Sequence, residues 1–480
     1  MWTKTIGFGI TSIILAYIYG KWHNLQLQSL DEKEQNIIES WNDLIIEPKR
    51  KFRRISVGIN CNLDLIVSGT DLLTALGQSP GESLDSVSLE DIDDLRNTFT
   101  HYFKKGAAAE RTFTDERKYK QIIEVAEKLP SKQHYIGGNA ALMAAKVAEL
   151  FPNTKIQLIG PIGPLLKSLL PRTMSIPENS HIPSDEVHLI MEYELNENWE
   201  GLTSPVANRF ITSYDESNSK LTSLNKFFSG LTHFDSDLIL LSGLHLLETQ
   251  GSALIREKIA EVKEGLQKIP KNVPVHLELA SMASEELVQA ILDQVLPGVT
   301  SLGLNEQELS FSAHVADGPH FDDFHTRTGQ PEIHKISDMI LWILKTYGYS
   351  KENPSSRLTR VHFHSLTYHI VGTLPSAWHN TQSAVAAGTR MAGRQACDVN
   401  KLSPPDIELR IPGTFKLFSG QDDYTFDENN PVFSWEREGF YFVFSPVLVC
   451  ISPLKTVGLG DAISATGLMY SDFDISYRNS

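Results

Sequence analysis

The chain has 480 residues, 43 Lys and Arg against 59 Asp and Glu, and a formal net charge of −16. That charge argues against a nucleic-acid surface, which carries a basic patch, and the length suits one large α/β domain with an appendage or two domains. Three cysteines with no Cys-x-x-Cys, and the lack of a His-Glu-x-x-His string, argue against a zinc site. No Gly-x4-Gly-Lys-Ser/Thr string is present, so any bound phosphate is held by something other than a P-loop.

Residues 6–19 form an apolar run behind Lys4, of signal-peptide length and short for a membrane span. Tyr17, Ile18 and Tyr19 stand where a cleavage site needs small residues, and Trp2 and Trp22 flank the run. The expectation is a signal or anchor over residues 1–22, retained at the membrane of the endoplasmic reticulum or facing its lumen. Cleavage would make a secreted protein instead. Residues 23–54 read as a mostly helical polar stalk and linker, with the basic run Lys49 to Arg54 as a solvated face. The main domain begins at residue 55.

Residues 54–67 read as one strand, in which alternation places Asn60, Asn62 and Asp64 on a single face. Those side chains suit sugar hydroxyls, which need paired donors and acceptors, or a solvated sheet edge. An acidic loop over 79–94 leads into a helix at 95–103. The run Ala107-Ala-Ala-Glu110 follows, and its carboxylate reads on residues alone as an exposed helix charge. Gly137, Gly138 and Asn139 form a turn before an amphipathic helix carrying Met143, Val147 and Leu150. The turn offers free backbone donors, or is an ordinary cap. Strands are expected at 154–160, 186–195 and 207–213. His181 and Arg209 are candidate ligand contacts, and Arg209 equally suits a structural ion pair.

After residue 235 strands and helices alternate: strands at 237–242, 273–279 and 300–304, helices at 250–267, 284–296 and 336–347. This pattern predicts a parallel sheet covered on both faces, with ligands beyond the carboxyl ends of its strands. His276-Leu-Glu278, Asn305-Glu-Gln-Glu308 and Gly458 to Asp461 fall at such ends. Carboxylates gathered there need a cation, and one Mg²⁺ ion, which completes its shell with water and phosphate oxygens, fits Glu278, Glu308 and Asp461. The plainer alternative is capping or surface carboxylates, and His276 reads as structural. Residues 312–334 read as a flexible insertion, 360–371 as a strand bearing His362, His364 and His369, and 398–443 as a patternless aromatic segment.

Residues 445–451 form an apolar strand before a turn containing Val457, Gly458, Leu459 and Gly460, and a helix follows. Glycines let backbone N–H groups approach a ligand, and the first N–H groups of a helix have no intrahelical acceptor, which makes an anion hole. Asp461 at its mouth is either a helix N-cap or a general base that takes a proton from an attacking hydroxyl.

The longer string Lys455-Thr-Val-Gly-Leu-Gly-Asp461-Ala-Ile-Ser464 resembles the signature of ADP-dependent sugar kinases, a branch of the ribokinase-like superfamily. Within that branch, the Asn-x-Asp of the first strand and the Ala-Ala-Glu run are similar to the glucokinases. The resemblance covers about residues 52–473. It implies a large doubly wound, mostly parallel α/β domain with a smaller β-rich lid drawn mainly from residues 58–215. It implies Asp461 as catalytic base, Val457 to Gly460 on the transferring phosphate and His364 on the nucleotide. Asn62, Asp64, Glu110, Gly137, Gly138 and Asn139 fall on glucose. The implied reaction moves the β-phosphoryl of ADP to the 6-hydroxyl of glucose, on a monomer. An ADP-dependent phosphofructokinase and a non-catalytic sugar- or nucleotide-binding protein of the same fold are the rival readings.

In an oxidising lumen thiols pair, and an odd count leaves one over. Cys61 lies between Asn60 and Asn62 and points into core, so a Cys397–Cys450 disulfide is expected, against the alternative that both are buried thiols.

Overall fold

The structure, a computed structural model, describes residues 31–325, 331–454 and 457–479. The expected leader at residues 1–22 lies outside them, and no helix of the described residues is long and apolar enough to cross a membrane. The chain divides into two compact units, one over Phe52–Val299 and one made of the residues up to Lys51 together with Thr300 onward.

In the Phe52–Val299 unit, near-continuous apolar strands pair in parallel in the order Lys155–Ile159, Arg54–Ile59, Leu238–Ser242, Val275–Glu278. Helices Asn139–Leu150 and Leu224–Phe234 pack on Arg54–Ile59. A second sheet of six strands is drawn from residues 62–213, in the order Ser88–Leu89, Ala109–Phe113, Asn208–Ser213, Val187–Tyr193, Asn62–Ser68, Gln133–Gly137. Alternation sends Leu65, Val67, Leu189, Met191 and Phe210 into a core with Phe99 and Phe103 of helix Ile92–Lys105. Asn62, Asp64 and His188 take the opposite face.

The expected single strand over 54–67 is in fact two. Arg54–Ile59 belongs to the parallel sheet and Asn62–Ser68 to the six-stranded one, with the chain passing between sheets at Asn60 and Cys61. Asn60 therefore does not share a face with Asn62 and Asp64.

In the other unit, Ser301–Leu304 pairs in parallel with Arg360–His364. Tyr368–Thr373, Phe440–Pro446 and Phe433–Arg437 follow in the same sheet, antiparallel. The expected strand over 360–371 is thus a hairpin turning at 365–367. Helices Thr381–Ala396 and Leu459–Met469 lie side by side, and a Cβ at Gly467 would meet the Ala384 carbonyl at 3.1 Å, so glycine permits the close approach. The aromatic segment over 398–443 is patterned after all: Phe433 stacks on Tyr424 at 4.5 Å and on Phe444 at 4.9 Å. Residues 312–325 carry helical turns, with His320 Nε2 2.9 Å from Asp338 Oδ2.

Residues 31–54 do not make a polar stalk. Residues 31–44 are helical, with Ile37, Ile38 and Trp41 buried in a core with Val371, Val385 and Val443. Trp41 Nε1 donates to Ser445 Oγ at 3.1 Å, and the basic Arg50 is paired with Asp474.

Candidate functional site

Antiparallel pairing of Leu448–Cys450 with Ile407–Leu409 fixes the chain that runs into the glycine turn. Gly458 has φ 65°, in the left-handed region that favours glycine, and is itself the N-cap of helix Leu459–Met469. Asp461 is therefore the third residue of the helix, not its cap, and it is 5% exposed. The first-turn N–H groups of Leu459 and Gly460 lie where a helix has no acceptors of its own. A Cβ at Gly460 would come within 3.1 Å of His364 Cε1, so the imidazole packs directly on this turn. His364 belongs to a cluster with His362 and His369, whose ring centroids are 5.4 to 6.3 Å apart. Burial, reinforced by His364, holds the pKa of His369 well below the usual imidazole range, so it is neutral. Residues 412–423, with Pro331 to His334 and Tyr368, frame a cavity of about 340 Å³ in the same unit.

Cys397, at the end of helix Thr381–Ala396, is bonded to Cys450, with Cα atoms 5.5 Å apart, and Cys61 is free and buried. Glu308 is buried and completes a capping box: its carboxylate accepts from Asn305 N and Asn305 Nδ2, both at 2.8 Å.

In the Phe52–Val299 unit, Asn62 Nδ2 donates to Asp64 Oδ1 at 2.7 Å. Gly137 sits opposite Asn62 in register, and any Cβ there would overlap both side chains. Gly138, at φ 83°, passes over Asn60 and Cys61. Asn60 does not join Asn62 and Asp64 but caps the helix beyond, accepting from Ala140 N and donating to Asn139 Oδ1, each at 3.1 Å. Glu110 is exposed, and its charge and that of the half-buried Arg209 both reach Asp64.

Two residues of this cluster escape the sequence reading. His188 stands opposite Asp64 in the parallel pair of strands and lies 2.5 Å from Asp215 Oδ2. Burial pulls its pKa down, but the charge of Asp215 and the hydrogen bond to it outweigh burial and lift it to about 10, so His188 is an imidazolium. Burial pushes Asp64 up to about 6 against the pull of His188. The alternation of Val187–Tyr193 puts His188 opposite the apolar face, which is the signal that could have found it. His181, the histidine expected as a contact, lies outside the cluster, with Nε2 3.1 Å from Lys167 Nζ. Glu278 is buried at the end of Val275–Glu278, its Oε2 2.9 Å from His276 Nε2.

Among the described residues no group of three or more His, Cys, Asp or Glu side chains could hold a metal ion. Of the three carboxylates expected to meet Mg²⁺, Glu278 belongs to the Phe52–Val299 unit, and Glu308 and Asp461 belong to the other. The donor chemistry still suits Mg²⁺, because Glu278 and Glu308 are buried hard-oxygen donors oriented by hydrogen bonds from a neighbour, and Mg²⁺ takes few carboxylates.

Residues 53–470 match the family described as the ADP-specific phosphofructokinase/glucokinase conserved region. The chain is 45% identical to an ADP-dependent glucokinase of Bos taurus, over 94% of this chain and 92% of that protein. It is 40% identical to a probable ADP-dependent glucokinase of Caenorhabditis elegans, over 98% and 95%. A solved structure of the last common ancestor of ADP-dependent phosphofructokinases from Methanosarcinales superposes with a TM-score of 0.66 at 18% identity, covering 92% of this chain and 98% of that one. At that identity the likeness speaks for the fold alone, a large α/β sheet accompanied by a smaller six-stranded one. The chain belongs to the ADP-specific phosphofructokinase/glucokinase family.

Proposed function

We propose that this protein transfers the β-phosphoryl group of ADP to the 6-hydroxyl of D-glucose, releasing AMP and glucose 6-phosphate. The observation that carries the reading is near-full-length identity of 45% and 40% to proteins named as ADP-dependent glucokinases. The residues agree in kind. Asn62, Asp64, Glu110 and His188 supply charged and neutral partners for hydroxyl groups, and Glu110 and Asp64 would repel a sugar that already carried phosphate. That disfavours the phosphofructokinase reading, and the retained base and carboxylates disfavour a non-catalytic one.

In this mechanism Asp461 takes the proton of the 6-hydroxyl as it attacks phosphorus. The backbone N–H groups of Gly458, Leu459 and Gly460 stabilise charge on the phosphoryl oxygens, aided by the N-terminus of helix Leu459–Met469. Glu278 and Glu308 are the residues that would hold Mg²⁺, which when bound neutralises phosphate charge. His364, and the cavity beside Tyr368, serve the nucleotide side.

The working state is a monomer in the secretory pathway, retained at the endoplasmic reticulum by the apolar run at residues 6–19. The Cys397–Cys450 disulfide supports an oxidising compartment. A mature protein whose N-terminus begins near residue 21 would count against retention.

The test is glucose 6-phosphate formation with ADP, ATP and GDP in parallel, and with fructose 6-phosphate replacing glucose. Turnover with glucose and ADP is expected. Turnover with fructose 6-phosphate in place of glucose would overturn the reading.

A further inference from the structure

Gln395 lies in the last turn of helix Thr381–Ala396 and is 8% exposed. Its Nε2 donates to the carbonyl oxygens of Val457, at 3.3 Å, and Gly458, at 3.2 Å. Both neighbours are acceptors, so only the NH₂ end of the amide can face them. Its Oε1 is buried with no hydrogen-bond partner among the described residues. A methionine would fill the same space without stranding a buried acceptor, so packing does not account for an amide here.

The consequence lies on the far side of the two peptides. A trans peptide carries its C=O and N–H on opposite sides. With the Val457 carbonyl drawn to helix Thr381–Ala396, the N–H of Gly458 faces away from that helix, and the Gly458 carbonyl orients the Leu459 N–H in the same way. The Gly458 carbonyl is shared with the first hydrogen bond of the next helix, from Ala462 N at 3.0 Å. Gly458 is at φ 65°, and glycine resists a peptide flip least of all residues. Nearby, the Cys397–Cys450 bond and the hydrogen bond from Leu454 N to the Ala396 carbonyl fix the chain before the turn, but neither sets the orientation of these peptides.

We infer that Gln395 is a positioning residue for the phosphoryl-binding turn, which it holds in the orientation that aims the Gly458 and Leu459 N–H groups at the transferring phosphoryl. It acts through the backbone, by its hydrogen bonds to the Val457 and Gly458 carbonyls. The inference rests on the reading of that turn as the phosphoryl site.

Two variants test it. Gln395→Met keeps the volume and removes the donor, and Gln395→Glu sets acceptors against two carbonyls. The expected result for Gln395→Met is a kcat lower by about 10- to 100-fold, the scale of a misplaced oxyanion donor. KM for glucose should stay within about twofold, the pattern of an interaction made only in the transition state. Calorimetric affinity for AMP with tetrafluoroaluminate, in the presence of glucose and Mg²⁺, should fall by a similar factor while affinity for ADP is retained. Gln395→Glu should lose more. A kcat within twofold of wild type together with retained analogue affinity would overturn the inference, as would an equal loss of ADP and analogue affinity. If Gln395→Met does not fold, Gln395→Asn, whose amide is one methylene too short to reach, carries the same expectations. Asp461→Asn is measured alongside. If that variant stays active the reading of the turn itself fails, and if it is inactive while Gln395→Met is normal only the role of Gln395 fails.

Discussion

Asp64 and His188 stand directly opposite one another in neighbouring strands of the six-stranded sheet, and Asp215 holds His188 from behind at 2.5 Å. Burial would discharge both members, yet their mutual attraction and Asp215 keep His188 charged. Asp64, raised to about 6, binds a proton more readily folded than unfolded, so its own contribution to stability falls as pH rises from about 4 through about 6. Binding runs the other way, because the ionised form is the better acceptor for a sugar hydroxyl. KM for glucose should be flat above about pH 7 and rise as pH falls through about 6, and Asp64→Asn should remove that dependence. Initial rates against glucose concentration between about pH 5 and pH 8 measure it. A flat wild-type KM across that range would count against Asp64 as a sugar acceptor.

Asp461→Asn keeps size and shape at a buried helix position, so the fold should persist. The kcat should fall by about two to four orders of magnitude, the range for losing a positioned general base. Activity within about threefold of wild type would be far short of that range.

Glu308→Gln and Glu110→Gln should part company. Glu308 sits in a capping box on the proposed phosphate side, so its variant should need more Mg²⁺ for half-maximal rate while KM for glucose holds. Glu110 lies with Asp64 and His188, so its variant should raise KM for glucose and leave the Mg²⁺ titration unchanged. Identical shifts in both titrations would break the two-sided map.

Cys397 and Cys450 close a loop of 53 residues. Replacing both by serine should cost about 4 kcal/mol in the chain-entropy account. Urea unfolding of the double variant beside the wild type measures it, and a difference below about 1 kcal/mol would mean the bond does little for stability.

Trp41→Ala separates an integrated helix from a stalk. The side chain is fully buried and hydrogen-bonded to Ser445, so its loss should cost about 3–5 kcal/mol. A residue on a solvated stalk would cost almost nothing, and the same denaturation experiment distinguishes the two.

Features that depend on consecutive residues were legible in the amino-acid order. Gly458, Gly460 and Asp461 announce a turn and helix start because caps and left-handed glycines are local, and the alternation after residue 235 announces parallel strands because each reads as a short apolar run. The disulfide followed from an odd cysteine count and the expected burial of Cys61, which the structure bears out although Cys61 lies between two strands. Local pattern could not show that the strand at 54–67 breaks at Asn60, since both halves alternate alike and only their different partners, Leu238–Ser242 and Val187–Tyr193, part them. It could not show that Asp215 charges His188 from 27 residues away, or that Gln395 reaches two carbonyls more than 60 residues on. Nor did a helix of mixed composition disclose that Trp41 meets Ser445 across 404 residues. Turns and caps are settled by the energies of adjacent peptides, which the order of residues contains. Pairings between distant side chains are settled by which surfaces the packed core brings together, and only the tertiary structure contains that.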